Sequence, residues 1–114
     1  MSSSIASISV APQRFVKKLV YYYMPNCPYC REFEPVFMSL AHICKKNPYC
    51  SLAAVDITQH RNTGVPIKSV PTVIYFDSVG APHKMQASSA EERTLERLGT
   101  FLIEQYEEDV NRNR

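Results

Sequence analysis

Cys27 and Cys30, separated by Pro28 and Tyr29, are the residues of this chain whose type and spacing best suit chemistry. A thiolate is a strong nucleophile, and a second thiol two residues further on can meet it across a single helical turn. The first sulfur would attack a disulfide and the second would resolve the mixed disulfide, releasing a reduced partner. The competing use of the pair is half of a tetrahedral zinc site completed by Cys44 and Cys50. The helix expected here would carry Cys44 roughly 20 Å beyond Cys30, too far for both to ligate one ion. The spacing therefore predicts a redox-active pair, with no metal and no bound cofactor.

Such a pair needs a strand to deliver it and a helix to receive it. Leu19 to Met24 is an uncharged run of Val and Tyr, which suits a strand buried on both faces. Pro25 and Asn26 break it. Cys30, Phe33, Phe37, Leu40 and Cys44 then recur at helical steps and predict a helix from about Pro28 to Lys46. Pro28 fits its first turn, Lys45 and Lys46 its negative end, and Pro35 should kink it. Cys27 thus falls at the helix N-terminus, where unpaired N–H groups favour a thiolate, and Cys30 on the buried face.

The remaining elements are read in the same way. Ile5 to Val10 alternates enough for a first strand, and Ala11 to Lys17 suits one or two turns. Ser51 to Asp56 and the run Thr72 to Phe76 read as inner strands, with a helical turn over Thr58 to Gly64 between them. Asp77 to Pro82 predicts a hairpin into a weaker strand, His83 to Gln86. Ser88 or Ser89 would cap a last helix bearing Leu95, Leu98, Leu102 and Tyr106 on one face. The order predicts an α/β domain with a mixed sheet covered by helices.

At 114 residues the chain has room for one domain, taken as 1–114 with residues 1–6 frayed and 111–114 a flexible tail. Its net charge of +2, in small scattered pairs, argues against a nucleic-acid partner. No apolar run approaches the roughly eighteen residues of a membrane span. With no signal-like start, the cysteine pair suits a reducing, cytoplasmic setting, a secreted protein whose signal has been removed being the alternative.

Taken in order, several motifs resemble the thioredoxin family. Strand Leu19 to Met24 leads into Cys27-Pro28-Tyr29-Cys30, Pro35 follows where that family bends its helix, and Val70-Pro71-Thr72 comes later. The resemblance implies a thioredoxin-like fold with a central sheet of four to five strands. It implies that Pro71 has a cis peptide bond and that Val70, Pro71 and Thr72 bind substrate beside Pro28 and Tyr29. It also implies disulfide exchange with protein substrates, Cys27 and Cys30 forming the redox-active disulfide, and electrons supplied by a reductase or by glutathione.

Some positions depart from that pattern. Pro28-Tyr29 is a glutaredoxin dipeptide, Asn26 replaces a tryptophan, and Tyr21 replaces a buried acid that helps the second cysteine lose its proton. A glutathione-linked activity is therefore the runner-up, although Tyr23 to Asn26, just before Cys27, carry no basic residue. A non-catalytic binding module using the loop at Val70 is the third reading. Elsewhere, Cys44 reads as a core residue, and a Cys44–Cys50 disulfide is suggested by proximity alone. Tyr21 to Tyr23 read as packing, Asp56 as a turn residue, and His42, His60 and His83 as surface residues.

Overall fold

The computed structural model describes residues 5–47, 50–87 and 92–113. The Val/Tyr run forms strand β1, which spans Lys18–Tyr23 rather than Leu19 to Met24 and is flanked by β2, Leu52–Asp56, and β3, Thr72–Phe76. A short fourth strand, β4 (Pro82–Lys84), completes the sheet order β2-β1-β3-β4 among the described residues. β1 runs parallel to β2, with Leu19 opposite Leu52, and antiparallel to β3, with Leu19 opposite Tyr75. β4 returns antiparallel from β3 through a turn in which Gly80 takes the positive φ of 84°.

Two helices complete the fold, α1 over Pro28–Cys44 and α2 over Leu95–Arg112. Both pack on one face of the sheet. Phe33, Phe37 and Leu40 of α1 join Leu98 and Leu102 of α2, Leu19 and Tyr21 of β1, and Val73 and Tyr75 of β3 in one buried cluster. The opposite face carries Phe15, Val20, Tyr22, Ala53, Val55, Ile74 and Phe76. No helix covers it. Ile57, Val65 and Ile67, from the connection between β2 and β3, pack there instead.

That connection corrects the helical turn expected over Thr58 to Gly64. Asp56 Oδ1 accepts hydrogen bonds from both the N–H (2.9 Å) and the hydroxyl (2.5 Å) of Thr58. This local side-chain turn competes with helix formation, and Pro66 further on removes another donor. Only a turn at 57–59 forms before the chain runs irregularly to β3. Asp56 is thus the turn residue it was expected to be.

Other boundaries shift for similar local reasons. In place of a first strand over Ile5 to Val10, Ile5–Ser7 form a 3-10 turn and a single bridge links Ser9 to Ala54. Ala11 to Lys17 forms no helical turn; Phe15 is buried in the chain's passage across the sheet. α1 runs through Pro35 but ends at Cys44, with Lys45 as its C-cap. β4 stops at Lys84 rather than Gln86.

The expected caps Ser88 and Ser89 lie outside the described residues. The N-cap of α2 is Thr94, whose hydroxyl accepts the Arg97 N–H at 3.2 Å. α2 itself extends to Arg112, into the stretch expected to be a flexible tail. Asn113 caps it, its N–H donating to the Asp109 carbonyl.

Candidate functional site

β1 ends at Tyr23 and the chain turns through Met24 to Asn26, the Cys27 N–H donating to the Met24 carbonyl at 3.2 Å. Cys27 is then the N-cap of α1, with φ −84° and ψ 121°, and Pro28 occupies the first turn. Proline suits that place because the N–H it lacks would have been unpaired anyway. No side chain caps the helix. The N–H groups of Cys30, foremost, and Tyr29 therefore face the Cys27 sulfur and favour its thiolate. The Cys30 thiol and the Arg93 guanidinium add to this, and together they hold the Cys27 thiol below its ordinary range against the effect of partial burial.

Cys30 sits one turn further along and is only 2% exposed. Burial foremost pushes its thiol above the ordinary range, and the neighbouring Cys27 adds to the rise. Both cysteines are free thiols. The pair is thus polarised, one sulfur partly exposed and primed for ionisation, the other buried and held protonated. The geometry is that of a nucleophile and a resolving thiol.

Tyr21 lies beneath Cys30, fully buried, and donates its hydroxyl to the Cys30 carbonyl at 3.1 Å. Its ring meets Phe33 edge-on at 5.2 Å and stacks on Tyr23 at 5.2 Å. Burial foremost pushes the Tyr21 phenol far above its usual value, so it is a fixed hydrogen-bond donor and not a proton acceptor for Cys30. Tyr23 is tied in turn to Ser9, oxygen to oxygen at 2.7 Å. The three consecutive tyrosines are packing residues, as their pattern predicts.

At the same end of the sheet β3 begins. Thr72 pairs opposite Tyr22, and the peptide bond before Pro71 is cis. The Thr72 hydroxyl donates to the Ser69 carbonyl at 2.6 Å and fixes the loop that precedes the strand. Val70 packs against the cluster that contains Cys30 and is also flanked by Cys27. The topology thus brings Val70, Pro71 and Thr72 to the end of the sheet where the cysteine pair stands. Tyr29 is 60% exposed at the rim, and Pro28 lies between the two sulfurs in sequence.

Arg93 is the residue that reading the sequence overlooked. Its guanidinium lies over the Tyr29 ring, 5.9 Å from the centroid, and its charge reaches Cys27. A groove of about 300 Å³ runs beside them, lined by Tyr29, Glu32, Phe33, Val36, Arg93 and Leu95 among others. Arg93 stands far from Cys27 in sequence, so no local pattern could have signalled this approach.

Cys44 and Cys50 are joined by a disulfide, their Cα atoms 5.1 Å apart, at the other end of α1. They are not part of a site with Cys27 and Cys30. Among the described residues, no three of His, Cys, Asp and Glu converge as metal ligands. No helix among them is long and apolar enough to cross a membrane. His83 departs from the surface role expected of it: its Nε2 lies 2.8 Å from the buried Asp77 carboxylate.

A family model described as Thioredoxin matches residues 10–104. A thioredoxin domain-containing protein of Theileria parva is 32% identical over 93 residues, covering 80% of this chain and 40% of that protein. A protein disulfide-isomerase of Drosophila melanogaster is 32% identical over 76 residues, covering 67% of this chain and 15% of the relative. The chain thus spans less than half of either relative. Among solved structures, human ERp44 in its zinc-bound form superposes with a TM-score of 0.69 at 20% identity, covering 85% of this chain and 30% of that one.

Proposed function

Because the chain belongs to the thioredoxin family, we propose that it is a thiol–disulfide oxidoreductase acting on protein disulfides through Cys27 and Cys30. The observation that carries this reading is the uncapped start of α1. It presents Cys27 to solvent with its thiol lowered, while Cys30 waits one turn inside with its thiol raised. In the reaction Cys27 thiolate attacks a substrate sulfur and the leaving thiolate takes up a proton. Cys30 then loses its proton, attacks the Cys27 sulfur and frees the reduced substrate, leaving Cys27–Cys30 oxidised. Val70, Pro71 and Thr72 would hold an extended substrate segment by backbone pairing, with Pro28 and Tyr29 also contacting it. A relative named as a protein disulfide-isomerase fits this substrate class.

The test is direct. Cys27→Ser should abolish reduction of a protein disulfide, and Cys30→Ser should accumulate the mixed disulfide on Cys27. Retained turnover in Cys27→Ser ends the catalytic reading, and undiminished partner capture by that variant turns the chain into a binding module.

One observation favours a glutathione-linked variant of the same chemistry. Arg93, just ahead of the Thr94 cap of α2, supplies the positive charge that is missing just before Cys27, and it lies on the exposed Tyr29 ring. With its proline–tyrosine dipeptide the pair should equilibrate at about −200 to −230 mV in graded glutathione buffers. A value near roughly −270 mV would mark a thioredoxin-like reductant served by a reductase instead.

A further inference from the structure

We propose that Cys44 and Cys50 form a second exchangeable disulfide, opened by small thiols at Cys50, so that the chain carries two redox couples. The two sulfurs are unequally placed. Cys44, the last residue of α1, is 4% exposed, whereas Cys50 is half-buried just before β2. Both cysteines line an open cleft of about 440 Å³ with Lys45, Lys46, Asn47 and Ser51, but Cys50 is the more exposed of the two. Solvent-accessible disulfides are the labile ones, and an incoming thiolate attacks the sulfur it can reach. As a staple the bridge contributes less than one closing a long loop, because the segment it closes is short.

The exchange balances with a small thiol as reductant. Its thiolate bonds to the Cys50 sulfur, the Cys44–Cys50 bond breaks, and Cys44 leaves as a thiolate that takes up a proton. A second small thiol then displaces the first from Cys50, giving two protein thiols and one small-molecule disulfide. The negative end of α1 opposes charge on the departing Cys44. Lys45 and Lys46 line the same cleft, so positive groups offset it.

This couple cannot share electrons with Cys27–Cys30 inside one molecule, since α1 separates Cys30 from Cys44 by roughly 20 Å. Fully oxidised chain should therefore accept four electrons in two independent pairs. The proposal does not depend on what Cys27 and Cys30 do.

A Cys27→Ser/Cys30→Ser double variant of the full chain isolates the second pair. It is equilibrated under native conditions in graded ratios of reduced to oxidised glutathione, acid-quenched, alkylated and weighed. The expected result is a reversible change from no alkyl groups to two, with the same curve approached from either end. Two results overturn the proposal: a bridge that opens only after denaturation, or two free thiols throughout. On the same background, Cys44→Ser should leave a Cys50 that takes glutathione from oxidised glutathione at least tenfold faster than Cys44 does in Cys50→Ser. Equal rates, or the reverse order, overturn attack at Cys50.

Discussion

Tyr21 and Tyr22 are neighbours in β1 that point to opposite faces, and their hydroxyls meet opposite fates. Tyr21 donates to the Cys30 carbonyl, whereas the Tyr22 hydroxyl is buried with no hydrogen-bond partner among the described residues, its phenol pushed up to about 12 by burial. Phenylalanine should therefore act differently at the two sites. Tyr21→Phe should lower stability by about 1 kcal/mol in urea unfolding, and Tyr22→Phe should leave it unchanged or raise it, because an unsatisfied buried hydroxyl is removed. The cysteines allow a pH test of the same kind. Alkylation of Cys27 should rise through a midpoint below the ordinary thiol value of about 8.5, and that of Cys30 through one above it. Arg93→Ala removes a charge that favours the Cys27 thiolate, so its midpoint should move upward. Cys27, Cys30 and the turn at Asp56 were readable because their chemistry is local. The Tyr21–Cys30 hydrogen bond and the approach of Arg93 were not, because they join residues through the folded backbone.

At the scale of elements, α2 shows how far a cap can be misplaced when several candidates adjoin. Ser88, Ser89 and Thr94 all suit an N-cap by type, and residue type alone cannot choose among them. Thr94→Ala should lower stability by about 1 kcal/mol, and Leu98→Ala, which empties a fully buried position, by roughly 2–5 kcal/mol. β1, α1 and β3 were legible almost to the residue. α1 has a clear helical period, β1 and β3 are unbroken runs of apolar and aromatic residues, and Pro, Asn or Asp stand at their ends. The connection after β2 was not, because the Asp56–Thr58 turn diverts a stretch whose composition would tolerate a helix.

For the whole molecule, the far end of the sheet is held by buried carboxylates. Asp77 accepts N–H bonds from Val79 and Ala81 and lies 2.8 Å from His83 Nε2 and 3.5 Å from Arg112. Asp109 of α2 accepts from the Ser78 hydroxyl at 2.8 Å and from the Ser78 N–H, and so clamps the helix to the hairpin. Burial alone would raise both acids, but these bonds outweigh it and both lie below the usual carboxylate range. A depressed folded value means stability that is present above the unfolded value of about 3.9 and lost as pH falls through the folded one. The urea midpoint should therefore drop as pH falls below about 4, and Asp109→Asn should show a shallower drop.

The strand order also bears on how the chain is made. β1 is an inner strand, and one of its two partners, β3, begins only at Thr72. A ribosome delivering the protein from its N-terminus therefore presents β1 with one edge bare until most of the domain has emerged, and unpaired edges invite association with other chains. All four cysteines, Cys27, Cys30, Cys44 and Cys50, precede Thr72 and are synthesised before that edge can close. During that interval no native sheet holds Cys27 beside Cys30 or Cys44 beside Cys50, and any two thiols can pair. Nascent thiols kept reduced until β3 docks are therefore spared mispairing in that interval.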